Sequence, residues 1–330
     1  MRNLTSKKTI RTLVVTMLLV GAAAVSAKQL GGQTGWMLRM GGVSADRIAL
    51  GDAGVALVEF GQNWYYNPAA ISFQQSRTAA LGYRAMSLDR SIMYVGGAFP
   101  IEPNAGLGVG LMRAGTDNVE AYDSNGRRYD TFSWADNLIY GSFSLRPHPA
   151  VGLGITIKWL ISTVPDVKEN HKNLNSFGLS VDLGVRVQPS KDFSIGLHIK
   201  DFDGRNTFET SDVWGDDAGA KEDKLPTQIR VGAAWEGIEH LTLVGDVTLF
   251  PTVIADDKNG LQPHVGGQFL QPFAEDMWAA FRAGINNAEP TFGLGLSWKV
   301  QRVRMTLSYA FLFDANSPGS TQITAFEFEF

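Results

Sequence analysis

The sequence predicts an all-β protein: a 14-stranded antiparallel transmembrane β-barrel with an N-terminal hatch or plug segment in its lumen. Three observations predict it. The amino end reads as an export signal, residues after 76 alternate in long runs, and the stretch between is rich in glycine and aromatic residues without alternating.

Residues 1–27 have the three parts of a secretory signal peptide. Arg2, Lys7, Lys8 and Arg11 form a basic start, Leu13 to Ala24 an apolar stretch, and Val25-Ser26-Ala27 a small-residue cleavage site. The uncharged run from Thr12 to Ala27 is too short for a membrane anchor. No later run is long and apolar enough for a transmembrane helix, so a membrane role has to be built from strands. The expected location is the cell outer membrane.

From residue 77 to residue 330 the chain alternates. Val303, Met305, Leu307, Tyr309, Phe311 and Phe313 share one face, with Arg302, Arg304, Thr306 and Ser308 on the other. Phe177, Leu179, Val181, Leu183, Val185 and Val187 alternate in the same way with Ser176, Gly178, Ser180, Asp182, Gly184 and Arg186. One face suits lipid and the other water, over segments longer than the strands of a soluble sandwich. The predicted strands are 77–86, 91–101, 105–115, 132–146, 150–163, 175–188, 192–203, 225–236, 240–252, 262–271, 277–286, 291–300, 302–313 and 320–330. Turns such as 147–149, 189–191 and 237–239 are short, whereas those at 116–131, 164–174, 204–224 and 253–261 are long. That asymmetry separates a periplasmic end from an extracellular one. Trp235, Trp298 and Phe193 fall on outward positions near the periplasmic end, and Trp159 lies near the other rim. The last strand alternates to a terminal aromatic, Phe330.

Residues 28–76 form the predicted hatch, and 77–330 the barrel. Gly51, Gly54 and Gly61 permit tight turns, Asn67-Pro68 is a turn dipeptide, and Trp64, Tyr65, Tyr66 and Phe73 are too apolar for a free tail. Ala49-Leu50-Gly51-Asp52-Ala53-Gly54-Val55-Ala56, followed by Trp64-Tyr65-Tyr66-Asn67-Pro68-Ala69-Ala70-Ile71, resembles the hatch of the PorV/PorQ-type outer-membrane proteins. It is similar, more distantly, to that of the FadL-type transporters of hydrophobic compounds. The resemblance implies that Gly51, Asp52, Gly54, Asn67, Pro68 and Ala69 form a hatch motif ahead of a 14-stranded barrel. Position 52 is Asp where Met is frequent in the broader family, and Glu59 to Gln62 replaces an acidic pair.

Several chemistries are excluded or disfavoured. Without cysteine there is no disulfide, thiolate site or lipid-modified cysteine. The net charge of −4 comes without a basic run, so nucleic acid is not an expected partner. His148, His171, His198, His240 and His264 lack metal-ligand spacing, and His148 and His198 read as solvated. Gly106-Leu107-Gly108-Val109-Gly110 lies within a strand and presents small residues to the lumen. The acidic 204–224 loop reads as a solvated surface, because Asp201-Phe202-Asp203-Gly204 lacks the remaining spacing of a calcium loop. No nucleophile and base constellation appears, so no enzyme activity, cofactor or metal is expected.

Arg84, Lys158, Asp182, Arg186, Arg230, Asp246, Arg282, Lys299 and Arg304 are predicted to line the lumen. Such charges need partners or water. They either pair with one another and with the hatch or line a polar conduit. Two functions follow, both with outer-membrane lipid as surroundings. The PorV/PorQ resemblance implies protein export or surface attachment, with a type IX-like secretion translocon or secreted cargo bound through the loops at 116–131 and 204–224. The alternative is FadL-like passive transport of a hydrophobic small molecule. This would need an apolar pocket above the hatch and a kinked strand that opens the wall; the inward positions show no obvious apolar run, though a handful of residues from separate strands can still form a pocket.

Overall fold

Alternating side chains build a closed antiparallel wall in the computed structural model, which describes residues 36–39, 42, 44–58, 62–165, 173–210, 219–251, 260–313 and 320–330. The predicted signal peptide lies outside these residues, as do His171 and most of the 253–261 connection. The strands are β1 Thr78–Met86, β2 Arg90–Ile101, β3 Ala105–Tyr122, β4 Arg128–His148, β5 Val151–Val164, β6 Leu174–Ser190, β7 Phe193–Glu209 and β8 Ala220–Lys224. They continue with β9 Gln228–Ile238, β10 Leu241–Leu249, β11 Leu261–Ala274, β12 Met277–Asn286, β13 Glu289–Val300, β14 Val303–Phe313 and β15 Ser320–Glu329. β1 pairs with β15, and β6 with β7, which completes the circle. β8 and β9 are two pieces of one wall position, both partnered by β7, so fifteen segments make a 14-stranded barrel.

The side-chain period decides which face each residue takes. Along β6, Ser176, Ser180, Asp182 and Arg186 are buried, while Phe177, Leu179 and Leu183 are exposed on the lipid face. Short turns gather at the end where β1 begins and β15 finishes. At the other end, β12 and β13 are joined through Asn287-Ala288, whose left-handed φ values of 46° and 74° suit the two-residue turn.

Two predicted loops are partly strand. β3 and β4 extend into 116–131, and β7 and β8 extend into 204–224, whereas the predicted strand at 225–236 begins only at Gln228. The reason is physical. A ladder needs only backbone partners, so it continues past the point where lipid stops imposing alternation.

The amino-terminal segment is a chain of short helices: α1 Trp36–Arg39, α2 Ala45–Ala49, α3 Asn63–Tyr66 and a 3₁₀ turn at Pro68–Phe73. Residues 45–49 and 63–73 are buried throughout, against the inward faces of the strands.

Candidate functional site

The interior of the barrel is the candidate site, and its first feature is how tightly the amino-terminal segment is seated. A Cβ on Gly106 would sit 2.7 Å from Ile71 Cγ2, and one on Gly152 2.5 Å from the Phe73 ring. Gly154 and Gly184 likewise leave room for Ala69, Pro68 and Asn67, and Gly196 for Val55. On the opposite wall Gly266, Gly284 and Gly293 admit Leu50, Gly51 and Ala49. Gly106 and Gly108, read from sequence as small lumen-facing residues, are therefore seats for this segment, whereas Gly110 leaves room for Tyr140.

Polar ties complete the seating. Asn67 donates through Nδ2 to the Val55 carbonyl at 2.8 Å and to the Val185 carbonyl at 2.9 Å, while its Oδ1 accepts from Ala69 N at 3.1 Å. Gly51 turns the chain with φ +74°, its N–H donates to Thr291 Oγ1 at 3.1 Å, and its carbonyl faces His264 Nδ1 at 3.1 Å. Gly54 and Val55 donate their N–H groups to Asp246 at 2.7 and 3.0 Å. Arg230 donates to the Asp52 carbonyl at 2.8 Å and to its carboxylate at 3.0 Å, and Tyr66 donates to the same carboxylate at 2.7 Å. Burial pushes the Asp52 carboxyl up, but Arg230, His264 and the Tyr66 hydroxyl outweigh it and hold the group below the usual aspartate value.

Hatch-motif residues and inward charges, read separately in the sequence, thus meet in space. Arg186 donates to the Ala56 carbonyl at 2.7 Å and lies over the Phe73 ring, while Arg282 donates to Gln268 at 2.6 Å and to Ser308 at 3.3 Å. Arg84 is buried on β1. Arg304 is half-buried, 3.7 Å from Glu329, and Lys299 is exposed near the end of β13. His198, read as solvated, is buried 3.6 Å from Asp182, and His264 is buried too, meeting Thr248 at 3.0 Å. His264 and Thr291 were missed because nothing in the sequence joins them to Gly51, 213 and 240 positions away, and Thr248 was missed with them because its partners are His264 and Arg230 on neighbouring strands.

The second feature is an apolar sector of the lumen, assembled from separate strands although no single inward run is apolar. Tyr94 pairs with Met112, Met112 with Leu138, and Leu138 with Leu160, a row crossing β2 to β5. Each strand supplies only one or two such residues, so no single segment displays the run. Trp64 stacks on Tyr140 with ring centroids 3.4 Å apart and planes at 15°. Leu38, Tyr65 and Leu225 join the same buried cluster.

The third feature lies at that edge. Between the pairs Lys200↔Gln228 and Arg205↔Lys224 the ladder of β7 stops, and Asp201 and Asp203 take left-handed φ values of 56° and 47°. The register between β6 and β7 shifts twice over the same stretch. Lys158 Nζ bridges Asp182 and Asp201 at 2.6 and 2.5 Å, and the Asp201 N–H donates to Asp182 at 2.8 Å. Behind the break is a cavity of about 20 Å³, lined by Leu38, Tyr65, Leu138, Leu160, Lys200 and Leu225, with room for about one water. Lys200 Nζ stands 3.4 Å from the centre of the Tyr65 ring. A larger cavity of about 760 Å³ opens at the end with the short turns, lined both by charged side chains such as Arg282, Arg304, Glu236 and Glu327 and by apolar ones such as Phe73, Ile238, Leu270 and Trp278.

No protein-family description and no curated protein matches the chain. Solved structures do. The Pseudomonas putida toluene transporter TodX superposes with a TM-score of 0.58 at 11% identity, over 86% of this chain and 97% of that one. The CymD monoaromatic hydrocarbon channel gives 0.54 at 14% identity, over 87% and 97%. A Pseudomonas aeruginosa FadL homologue gives 0.54 at 10% identity, over 88% and 97%. These neighbours are channels and transporters, and none of the three is a secretion protein of the PorV/PorQ type. The fold of this chain is that of the FadL-like outer-membrane barrels.

Proposed function

We propose that the protein is a non-catalytic outer-membrane channel for the passive uptake of small hydrophobic compounds, with residues 28–76 as its plug. The carrying observation is the apolar sector that runs from Tyr94 and Met112 across the lumen to Leu225, where the ladder of β7 is interrupted. A hydrophobic ligand finds apolar contact there. A straight path to the periplasm would instead have to displace the seated plug. Transfer of apolar surface from an apolar lumen to lipid costs little, whereas releasing it into water forfeits about 25 cal/mol per Å². The barrel shape shared with the toluene and monoaromatic hydrocarbon channels supports the same reading. Protein export, implied by the PorV/PorQ resemblance, draws no comparable support from the interior.

The test is initial uptake of radiolabelled toluene, a longer alkane and a hydrophilic sugar by cells with and without the protein. Faster entry of at least one hydrophobe, with the sugar unchanged, is expected. Equal rates for both hydrophobes with and without the protein would overturn the assignment.

A further inference from the structure

The lipid-facing side of β3 carries a charge that the interior does not explain. Its outward positions read Leu107, Val109, Leu111 and then Arg113, all exposed. Arg113 pairs with Met93 of β2 and with Asn137 of β4. Nearer the short turns, the large exposed side chains on those two strands are apolar: Val95, Phe99 and Ile101 on β2, and Ile139, Phe143 and Leu145 on β4. Beyond Arg113 the outward positions are Ser91, Gly115 and Ala135, which pair side by side and offer no apolar bulk.

The apolar band therefore ends at the Arg113–Asn137 pair. Its height agrees. From Ala105, where β3 begins, to Arg113 the strand climbs about 20 Å along the barrel axis at the rise and tilt usual for such strands, close to the ~25 Å of an outer-membrane apolar band. Tyr83, exposed on the lipid side of β1 and paired with Met93, stands beside this boundary, where an amphipathic ring belongs. The cost of a lipid-facing charge falls away from the bilayer midplane, so an arginine is tolerated at this level.

The hydrogen bonding at Arg113 is one-sided. One guanidinium nitrogen donates to Asn137 Oδ1 at 3.4 Å, and among the described residues no carboxylate pairs with the side chain. Asp89, in the turn above, is taken by Asn118 at 3.3 Å. A guanidinium has five N–H donors in a planar fork, so most of them remain to be filled. Asn137 turns its oxygen to Arg113, which leaves its amide N–H groups to donate as well. Donors gather here and the nearby acceptor is spent. Such a group suits an anion, and at the rim of the hydrocarbon the anion within reach is a lipid headgroup phosphate.

We propose that Arg113 and Asn137 form a binding site on the outer wall of the barrel for the phosphate of a lipid headgroup, in the leaflet at the end away from the short turns. The site lies outside the lumen and stands whether or not the transport reading does.

The test uses purified full-length protein in detergent micelles, mixed either with bis-phosphorylated lipid A or with lipid A stripped of its phosphates, and native mass spectrometry to count bound lipid. The wild-type protein should hold the phosphorylated lipid at roughly five times the occupancy of Arg113→Gln or more, as loss of a charge-assisted fork predicts. It should hold the stripped lipid no better than Arg113→Gln does. A gel-mobility difference between unheated and boiled samples shows that the variant barrel is folded, and the comparison of the two lipids on the wild-type protein needs no variant. Equal occupancy in the wild type and folded Arg113→Gln overturns the proposal. So does wild-type protein that binds stripped lipid as well as the phosphorylated form.

Discussion

At Asp52 a single carboxylate ties the plug to the wall, because Arg230 meets both its carbonyl and its side chain. Removing one partner of a buried ion pair leaves the other charged without compensation, so Asp52→Asn should cost about 3 kcal/mol in the urea unfolding of protein in lipid vesicles. The sign with pH follows from the direction of the shift. The folded value is lowered, so the tie is fully present above the ordinary aspartate range and is lost as pH falls through the lowered value. Wild-type stability should therefore drop on acidification below about pH 4, and the Asp52→Asn curve should be flatter there. Asn67 is the corresponding tie on the other side. Its replacement by Ala removes a cap and leaves the Val55 and Val185 carbonyls short of a donor, at a cost of about 2 kcal/mol. An unfolding midpoint equal to that of the wild type would count against that assignment. Neither tie can be read along the chain, since Asp52 and Arg230 are 178 positions apart. The sequence shows a charge that needs a partner, but not which one.

At the scale of elements, the strands were legible and their exceptions were not. Lipid imposes a period of two on whatever faces it, and the middle of β6 and the second half of β14 show that period plainly. The break in β7 obeys a different cause. Asp201 and Asp203 are there because they accept left-handed backbone and partner Lys158 or Arg205, and in the sequence they looked only like an incomplete calcium loop. The apolar sector was hidden for a related reason: it is assembled one or two residues at a time from adjacent strands. The glycine seats make a prediction at this scale. Gly184→Val places a side chain where Asn67 and Pro68 sit. The plug should lose its seat while the barrel survives, so protease should cut within residues 36–73 and leave the strands intact. Protease resistance equal to that of the wild type would show that the seat is not needed.

For the molecule as a whole, the interior divides into an apolar sector beside β2 to β5 and a more highly charged one beside β9 to β13, with the amino-terminal segment packed against both. Deleting residues 28–76 should therefore uncover Arg186, Arg230, Asp246 and Arg282 and turn the barrel into an ion-conducting pore in planar bilayers, where the intact protein is expected to be silent. Absence of conductance from a folded deletion variant would show that the strands alone seal the lumen.

The seats also bear on the order of assembly. They are spread around the circumference, from Gly106 on β3 to Gly196 on β7 and on to Gly293 on β13, and each holds a different turn of the same buried segment. A segment engaged on all sides cannot be threaded into a finished cylinder, nor drawn out of one. In the intact protein the β1 to β15 seam is therefore expected to close with the segment already between the strands.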